Sequence, residues 1–245
     1  MDSIEEAEKT MKDKLTGRNK IIQSIIGLVP RGMRLWLNPN YRSVVKFMQY
    51  AASTTAGGST VLDAGAGPGP YKSLFAHCKY EATDFKPAEN IDFICSLNQI
   101  PKANGTYSHI ICTEVLEHVE YPQEVMNEFF NILKKGGKLY LTCPQGWGLH
   151  QEPYNYYNFT KYGLKSLLKN AGFKEENIYI QPKGGYFWMM SNIIRASTDQ
   201  MSNWNIFKWI MYPFTSILIP LILFPLDTLD RKQVWTNGYL VEAKK

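Results

Sequence analysis

The segment VLDAGAGPGPY, residues 61–71, limits the possible folds more than any other part of this chain. An apolar run ends at Asp63, and glycines follow at every second position, Gly65, Gly67 and Gly69. Such a bend lets the main chain approach a bound nucleoside closely, where a Cβ atom would collide. A second acid, Asp84, ends the next apolar run about 20 residues later, where a carboxylate can accept hydrogen bonds from both ribose hydroxyls. The pattern predicts a nucleoside site at the carboxyl edge of a parallel sheet, with a ligand-free glycine turn as the alternative.

Two other nucleotide-binding loops do not fit this segment. The G-x-G-x-x-G fingerprint of dinucleotide sites needs its third glycine where the helix packs on the strand. That position is Pro70 when counted from Gly65 and Lys72 when counted from Gly67. The phosphate loop G-x-x-x-x-G-K-[ST] does not occur in the chain either. The sequence therefore disfavours both of these nucleotide sites.

Short apolar runs alternate with longer amphipathic segments from Ser59 onward, which is typical of βαβ units and a parallel sheet. Strands are predicted at 60–65, 79–84, 91–95, 107–113, 138–144, 177–182 and 237–244. The glycine loop is expected to lead into a helix, and further helices are predicted at 21–26, 38–53, 122–133 and 160–171. The link 84–91 is too short for a crossover helix and predicts a turn. We expect an α/β fold of the doubly wound, Rossmann-like kind, with a mostly parallel sheet and an antiparallel final strand.

This pattern divides the chain into three parts. Residues 1–56 form a basic helical extension, 57–182 together with 236–245 form the main domain, and 183–235 form an apolar helical insert.

Four scattered cysteines have no zinc-type spacing and are interpreted as reduced thiols of a cytosolic protein. The first residues, MDSIEEAEKTMKDKL, lack the pattern of a secretory signal, so we expect the chain to stay in the cytoplasm.

The net charge of +5 is concentrated near the start of the chain. No acidic residue lies between Asp13 and Asp63, whereas seven basic residues do: Lys14, Arg18, Lys20, Arg31, Arg34, Arg42 and Lys46. A segment of this kind attracts phosphate, carboxylate or an anionic membrane surface, and a solvated basic face is the alternative. It shows no known nucleic-acid motif, so nucleic acid is not expected as a partner.

Three segments together resemble the class I methyltransferase family that uses S-adenosyl-L-methionine, in particular its type 11 branch. They are VLDAGAGPG, HIICTEVLEHVEYPQEVMNEFFNILKKGGKLYLTCP and HQEPYNYYNFTKYGLKSLLKNAGF. The resemblance covers residues 59–182 and the final strand. It implies that the cofactor's methionine part is bound by Asp63, Gly65, Gly67 and Gly69, and its ribose by Asp84. It also implies that Thr113 and Glu114 lie beside the cofactor.

One position departs from the family's pattern. The family usually places an acid before the leucine of the loop after the third strand, where it binds the adenine amino group. This chain has Ser96 there, followed by Leu97. Ser96 can accept one hydrogen bond, and backbone amides of this loop can contact the adenine ring, so we keep both residues as predicted cofactor contacts.

Two histidines lie in loops that open on the predicted cofactor edge. His150 follows the fifth strand, among Tyr154, Tyr156 and Tyr157, and is our first choice for a base that deprotonates an alcohol acceptor. His118 follows the fourth strand, and we favour a bracing role for it over a catalytic one. The aromatic loop GWGLHQEPYNYYNF, residues 146–159, is interpreted as an acceptor pocket, with a packed lid as the alternative. No group of residues has metal-ligand spacing, so no metal is predicted.

The run WIMYPFTSILIPLILFPL, residues 209–226, contains no charge over 18 residues. Its prolines argue against one straight membrane span, and a single crossing would separate the last strand from its sheet. We expect this segment not to cross a membrane. It forms either a broken amphipathic hairpin at the membrane interface, an apolar lobe over the acceptor site, or a helical cap or dimer contact.

The main hypothesis is a methyltransferase that modifies an oxygen of a glycan, a lipid-linked sugar or another small molecule, at the inner face of a membrane. The alternative is a non-catalytic membrane-peripheral protein that retains the fold, which Ser96 and the apolar insert favour. A nucleic-acid methyltransferase ranks last, because TEVLEH stands where amino-group enzymes of that class carry an N/D-P-P-[YFW] tetrapeptide.

Overall fold

The computed structural model describes residues 38–201 and 206–245. The predicted helix at 21–26, the basic residues Lys14, Arg18, Lys20, Arg31 and Arg34, and the boundaries of the N-terminal extension before Asn38 lie outside these ranges. Arg42 and Lys46 lie inside them, on the first described helix.

The described residues form one seven-stranded sheet in the order β3-β2-β1-β4-β5-β7-β6. The strands are β1 (Thr60–Ala64), β2 (Lys79–Asp84), β3 (Phe93–Ile94), β4 (Tyr107–Thr113), β5 (Leu133–Pro144), β6 (Ile178–Pro182) and β7 (Gly238–Lys244). β1 pairs in parallel with β2 and β4, and β4 pairs in parallel with β5. β7 pairs antiparallel with both β5 and β6. The predicted fold class, including the antiparallel final strand, is confirmed.

The carboxyl ends of β1, β2, β4, β5 and β6 meet at one edge of the sheet. β6 runs in the same direction as β5, because each of them is antiparallel to β7. The loops after these strands therefore all open on the same side, which is where doubly wound sheets bind ligands. β5 begins directly after its preceding helix, and its pairing with β4 shifts register between Tyr107 and His109. This irregularity accommodates the sequence Lys134–Gly137, which the prediction had placed before the strand.

The described helices are α1 (Pro39–Ser53), α2 (Pro122–Ile132), α3 (Lys161–Ala171), α4 (Tyr186–Asp199), α5 (Ile206–Pro213) and α6 (Ile219–Leu226). Two of these helices, α1 and α3, carry the predicted caps, whereas the glycines predicted to end α2 lie inside β5. The Asn38 side chain accepts a hydrogen bond from the Tyr41 amide, and Thr160 accepts one from the Gly163 amide. Gly172 ends α3 at φ 114°, a conformation that a residue with a Cβ rarely adopts.

One prediction about the crossovers is wrong. The glycine loop leads only into a single 3-10 turn, Lys72–Phe75, and not into an α-helix. Pro68 and Pro70 lie in the short link between β1 and β2, where they remove backbone donors that a helix would use. The link between β2 and β3 forms the predicted turn.

Two apolar cores cover the two faces of the sheet. The larger one lies under α2 and α3 and includes Leu62, Ile110, Phe129 and Leu141. The other lies under α1, where Met48 packs with Val61, Phe75, Ile111 and Tyr140. The helix α1, which the sequence assigned to the N-terminal extension, thus forms part of the packing of the sheet.

The apolar segment of the insert forms one continuous helix, Ile206–Leu229, so the broken hairpin, one of the alternatives for this segment, is wrong. A π-helical stretch, Phe214–Leu218, lies between Pro213 and Pro220 and joins α5 to α6, and such stretches mark an irregularity in the hydrogen bonds of a helix. We refer to Ile206–Leu229 as the apolar helix. By length and composition it could cross a membrane, with a mean hydropathy of 1.8 and 18% of the most apolar window buried.

Candidate functional site

The glycine loop after β1 is fixed by backbone hydrogen bonds to the neighbouring strand. The amides of Gly65 and Ala66 both donate to the carbonyl of Thr83 on β2, at 2.9 Å and 3.0 Å. Gly65 has φ 77°, and a Cβ atom built there would lie 2.6 Å from the side chain of Val115 in the loop after β4. A glycine is required at this position because the two loops pack directly against each other.

The peptide of Gly67 is held from both sides by the loop after β2. Its amide donates to Asp84 Oδ2 at 3.0 Å, and its carbonyl accepts from Asn90 Nδ2 at 3.1 Å. Gly67 has φ 53°, and a Cβ atom built there would meet nothing within 4 Å. The loop thus presents bare backbone to open space beside the Asp84 carboxylate. This arrangement fits an adenosyl ligand, because main chain can reach the ligand where a side chain would block it.

Asn90 is a site residue that the sequence did not predict. Besides its bond to Gly67, it lies where a Cβ atom on Gly69 would be placed. The only signal in the sequence was its position in the short link after Asp84, which predicts a turn but not which side chain folds back. The structure therefore adds Asn90 to the predicted loop residues Gly65, Gly67 and Gly69.

Asp63 is an acid buried inside the sheet, with 1% of its surface exposed. The hydroxyl of Tyr80 donates a hydrogen bond to its Oδ2. Burial raises the pKa of Asp63 from 3.8 to about 7, the Tyr80 hydrogen bond lowers it, and the nearby Asp84 raises it further. A cationic group, such as the ammonium of a bound amino acid moiety, would stabilise the ionised form. The predicted role of Asp63 next to a methionine part is compatible with this position.

Glu114, at the end of β4, is bound to a buried lysine. Its Oε1 accepts from Lys183 Nζ at 2.6 Å and from Thr142 Oγ1 at 2.6 Å. Lys183 follows β6 and has no exposed surface, and Glu114 itself adopts a positive φ of 54°. The sequence missed Lys183, although a lysine directly after a strand at the carboxyl edge is a usable signal. Thr113 hydrogen bonds with the hydroxyl of the buried Tyr71.

The two predicted cofactor contacts in the loop after β3 differ in their exposure to solvent. Ser96 is exposed, and its hydroxyl donates to Asn98 Oδ1 at 2.6 Å. Leu97 is 8% exposed and packs in the larger core. The side chain of Leu97 is therefore turned away from solvent, and this residue could reach a ligand only through its backbone.

His118 and His150 come from different loops and lie side by side, with ring centroids 4.8 Å apart. Glu117, which the sequence did not single out, completes the group. It is 1% exposed, and burial together with the charge of Glu114 raises its pKa to about 8. Ligand atoms of Glu117, His118 and His150 all lie within 4.8 Å of one another. The sequence could not show this grouping, because His150 is 32 residues beyond His118.

The aromatic loop after β5 is fastened to the loop after β4. The amides of Tyr156 and Tyr157 donate to the Glu117 carbonyl at 2.9 Å and 3.3 Å, and the Tyr157 hydroxyl donates to the Glu120 carbonyl at 3.0 Å. Tyr154, Tyr156 and Tyr157 are 54%, 42% and 41% exposed. Their rings are thus available to an acceptor beside the histidine pair.

The insert packs against the same edge of the sheet. A Cβ atom built on Gly146, just after β5, would collide with Met189 on α4 and would lie 2.8 Å from the Thr236 carbonyl. Arg42 on α1 lies over the ring of Trp188 on α4, at 5.6 Å from its centroid. The insert therefore forms one wall beside the aromatic loop after β5.

The chain is similar to known methyltransferases in sequence and in fold. Residues 36–177 match a family model described as a methyltransferase domain. An uncharacterized methyltransferase from Mycobacterium sp. (strain JLS) is 31% identical over 106 residues, which are 38% of this chain and 42% of that relative. The match thus spans less than half of the length of this curated relative.

Two solved structures share the fold. A SAM-dependent methyltransferase from Archaeoglobus fulgidus has a TM-score of 0.53 at 16% identity, covering 84% of this chain and 94% of that chain. Phosphoethanolamine N-methyltransferase 2 of Haemonchus contortus, in complex with S-adenosyl-L-methionine, has a TM-score of 0.51 at 15% identity, covering 85% and 52%. At these identities the likeness shows a common fold.

Proposed function

Because the chain belongs to the methyltransferase family, we propose that it transfers a methyl group from S-adenosyl-L-methionine to an oxygen of a glycan, a lipid-linked sugar or another small molecule. The observation that carries the proposal is the Gly67 peptide, held by Asp84 and Asn90 with open space where a side chain would stand. No other described feature at the carboxyl edge combines bare backbone with a carboxylate in this way.

The residues of the loop would bind the cofactor without taking part in bond changes. Asp84 and the Gly67 amide would hold the ribose side, and Asp63 would face the ammonium end. S-adenosyl-L-methionine supplies a methyl group on a positively charged sulfur, which a nucleophile attacks in line. The protein then contributes mainly by aligning the acceptor and excluding water.

The acceptor would bind between the histidine pair and the tyrosines of the loop after β5. Exposed aromatic rings suit the faces of sugars and other rings, and their hydroxyls offer polar contacts. His150 is the proposed proton acceptor for a hydroxyl, with His118 beside it. An oxygen acceptor is preferred because a neutral alcohol needs such a base, whereas an ionised acceptor does not.

Calorimetry with S-adenosyl-L-homocysteine tests the cofactor site. We expect Gly67→Trp to abolish the heat of binding, since the indole would occupy the open space over the loop. Gly105→Trp is the matched control: Gly105 also has a positive φ, 67°, and open space around its Cβ position, but it precedes β4 at the opposite edge of the sheet. Equal binding by both variants would contradict the proposed site, and no binding by the parent protein would contradict the proposed cofactor.

We also propose that the protein acts in the cytoplasm at the inner face of a membrane, which it contacts through the apolar helix. One face of this helix is exposed to an unusual degree for a soluble surface: Ile210, Phe214, Ile217, Leu218, Leu221 and Ile222 are between 41% and 55% exposed. Arg231 and Lys232 are exposed just beyond its end, beside Trp235, which is 58% exposed. Apolar, aromatic and cationic groups in this order suit an anionic lipid surface.

The chain connections favour lying on the membrane over crossing it. The apolar helix is followed by β7, which pairs with β5 and with β6, so both ends of the insert return to the same sheet. Flotation with phosphatidylcholine vesicles, with and without phosphatidylglycerol, tests the proposal. We expect salt-sensitive binding to the anionic vesicles that Leu221→Glu with Ile222→Glu abolishes.

Tyr162→Glu is the control for this experiment, because Tyr162 is 78% exposed but lies on α3. Flotation of the double variant at the level of the parent protein would contradict membrane contact by this helix. If the double variant instead changed a dimer to a monomer without any effect on flotation, the exposed face would be a subunit contact.

A further inference from the structure

Three side chains able to bind a metal ion converge where β4 and β5 end. Glu117 and His118 lie in the 3-10 turn Leu116–His118, and His150 lies in the loop after β5. The backbone bonds from Tyr156 and Tyr157 to the Glu117 carbonyl bring the second loop to the first. One ligand atom from each of the three residues lies within 4.8 Å of the other two.

Both histidines are held in a form suited to a metal ligand. His118 Nδ1 lies 2.5 Å from the Tyr154 carbonyl, and His150 Nδ1 lies 3.0 Å from the Gly148 carbonyl. A carbonyl only accepts hydrogen bonds, so Nδ1 carries the hydrogen in each ring and Nε2 of the neutral ring keeps its lone pair. A backbone carbonyl that orients the second nitrogen is the usual support of a metal-bound imidazole.

Glu117 supplies an independent sign that a ligand belongs here. Its carboxylate is buried, and within the described residues neither of its oxygens accepts a hydrogen bond. His118 Nε2 is likewise buried without a hydrogen-bond partner, and lies 3.9 Å from Glu117 Oε1, beyond bonding distance. Burying such groups unpaired is costly, and a cation between them would satisfy all of them at once.

We propose that Glu117, His118 and His150 bind one divalent transition-metal ion at the acceptor side of the site. Two imidazoles and one carboxylate match the ligand preference of ions such as Zn²⁺ or Mn²⁺ and leave a coordination position open. Neighbouring ligand atoms of a tetrahedral ion with bonds near 2.05 Å lie about 3.3 Å apart, so the three side chains would close by up to about 1.5 Å on binding. The exposed loop that carries His150 and its Gly148 can make this movement.

The role of the ion rests on the proposed methyltransferase function. An acceptor hydroxyl in the open position would lose its proton to water, because a bound cation stabilises the alkoxide. Its oxygen would form the new bond to the methyl carbon as the bond from carbon to sulfur breaks. The products are a methyl ether, S-adenosyl-L-homocysteine and one proton. With the ion bound, His118 and His150 are its ligands, and the ion replaces His150 in the proton-removing role that the proposed function gives to that histidine.

Cobalt binding tests the site without any activity measurement. The full chain is stripped with a chelator and titrated with CoCl₂, and the visible d–d absorption of bound Co²⁺ is followed; Zn²⁺ is then measured by calorimetry. We expect one ion per chain. His118→Ala, His150→Ala and Glu117→Gln should each weaken binding by about 100-fold or more, since loss of a ligand exceeds the effect of losing its hydrogen-bond support. His77→Ala is the matched control and should bind as the parent does, because His77 is exposed and bonds the Thr55 carbonyl.

The outcomes separate this proposal from the proposed function. Binding of S-adenosyl-L-homocysteine is measured on the same samples in chelator, and His150→Ala provides a variant in an exposed loop that leaves the core intact. The metal site is overturned if the parent does not bind cobalt, or if His77→Ala loses as much cobalt affinity as the three ligand variants; binding of S-adenosyl-L-homocysteine would be unaffected by either result. Cobalt binding without binding of S-adenosyl-L-homocysteine keeps the metal site and removes the methyl-transfer role assigned to it.

Discussion

Replacing Asp63 by asparagine should make the protein more stable at neutral and alkaline pH while weakening its cofactor binding. The folded-state pKa of Asp63 is about 7 and the ordinary value is 3.8, because the carboxyl group is buried. Between these two pH values the folded protein keeps a proton that the unfolded chain has lost. The free energy of unfolding therefore falls as pH rises from the unfolded to the folded pKa, and stays lowered above it.

The size of the effect follows from the shift of about three pKa units, each of which corresponds to about 1.4 kcal/mol. Ionising Asp63 in the folded protein thus costs at most about 4 kcal/mol, and the neutral amide of the Asp63→Asn variant carries no such cost. Between about pH 5 and about pH 8, the stability of Asp63→Asn relative to the parent should rise by about 3 kcal/mol. For a chain of this size the corresponding change in the relative Tm is roughly 6–12 °C.

Urea unfolding at the two pH values, followed by circular dichroism, measures this difference. Tyr80→Phe is the second variant, because it removes the hydroxyl that donates to Asp63 and lowers its pKa. Its stability should fall more steeply with pH than that of the parent. A relative stability of Asp63→Asn that is the same at both pH values would refute the reasoning, whatever its absolute level. Weaker binding of S-adenosyl-L-homocysteine by the same variant would show why an acid is placed where it destabilises the fold.

Four further substitutions compare the ion pair of Glu114 and Lys183 with ordinary packing and with a helix cap. Glu114→Gln should destabilise the fold by about 3–5 kcal/mol in urea unfolding, because it leaves the buried Lys183 ammonium without its carboxylate partner. Lys183→Met should cost clearly less, because the Glu114 carboxylate that remains is partly exposed. Equal losses of stability in the two variants would contradict this difference in burial. Phe129→Ala should cost about 3–5 kcal/mol, since Phe129 is fully buried in the larger core, and a loss near zero would mean that the core collapses onto the cavity. Thr160→Ala should cost about 1 kcal/mol through loss of the cap on the Gly163 amide, and a protein as stable as the parent would exclude that cap as a contributor.

The glycine loop shows which structural features the local sequence predicts and which it does not. Alternate glycines after an acid-ended apolar run predict a tight bend of bare backbone, and the structure gives Gly65 and Gly67 the positive φ angles that such a bend uses. The same reasoning expected an α-helix after the loop and was wrong, because the two prolines of the link leave room for only one 3-10 turn. Strand positions were predictable since each strand is a short apolar run between turn residues.

The apolar segment illustrates the opposite case. Its composition predicted an unusual surface or a buried lobe, and its prolines argued for a break. The chain instead continues as one helix that contains a π-helical stretch, and it exposes an apolar face. The composition of the segment could not show which of its faces is exposed. Which face meets the protein depends on contacts with α4, and these are tertiary contacts.

By itself the sequence determined the positions of most strands, the caps at Asn38 and Thr160 and the bend of the glycine loop, because each depends on neighbours within a few residues. The antiparallel last strand was expected from the resemblance to a known fold. Only the tertiary structure decided that Asn90 holds the Gly67 carbonyl, that Lys183 is buried against Glu114, and that Glu117 and His118 meet His150. These groups come from separate loops, and they lie together only because parallel strands end at a common edge. The spacing of these residues along the chain does not give the distances between their side chains, because strand order and loop conformation set those distances.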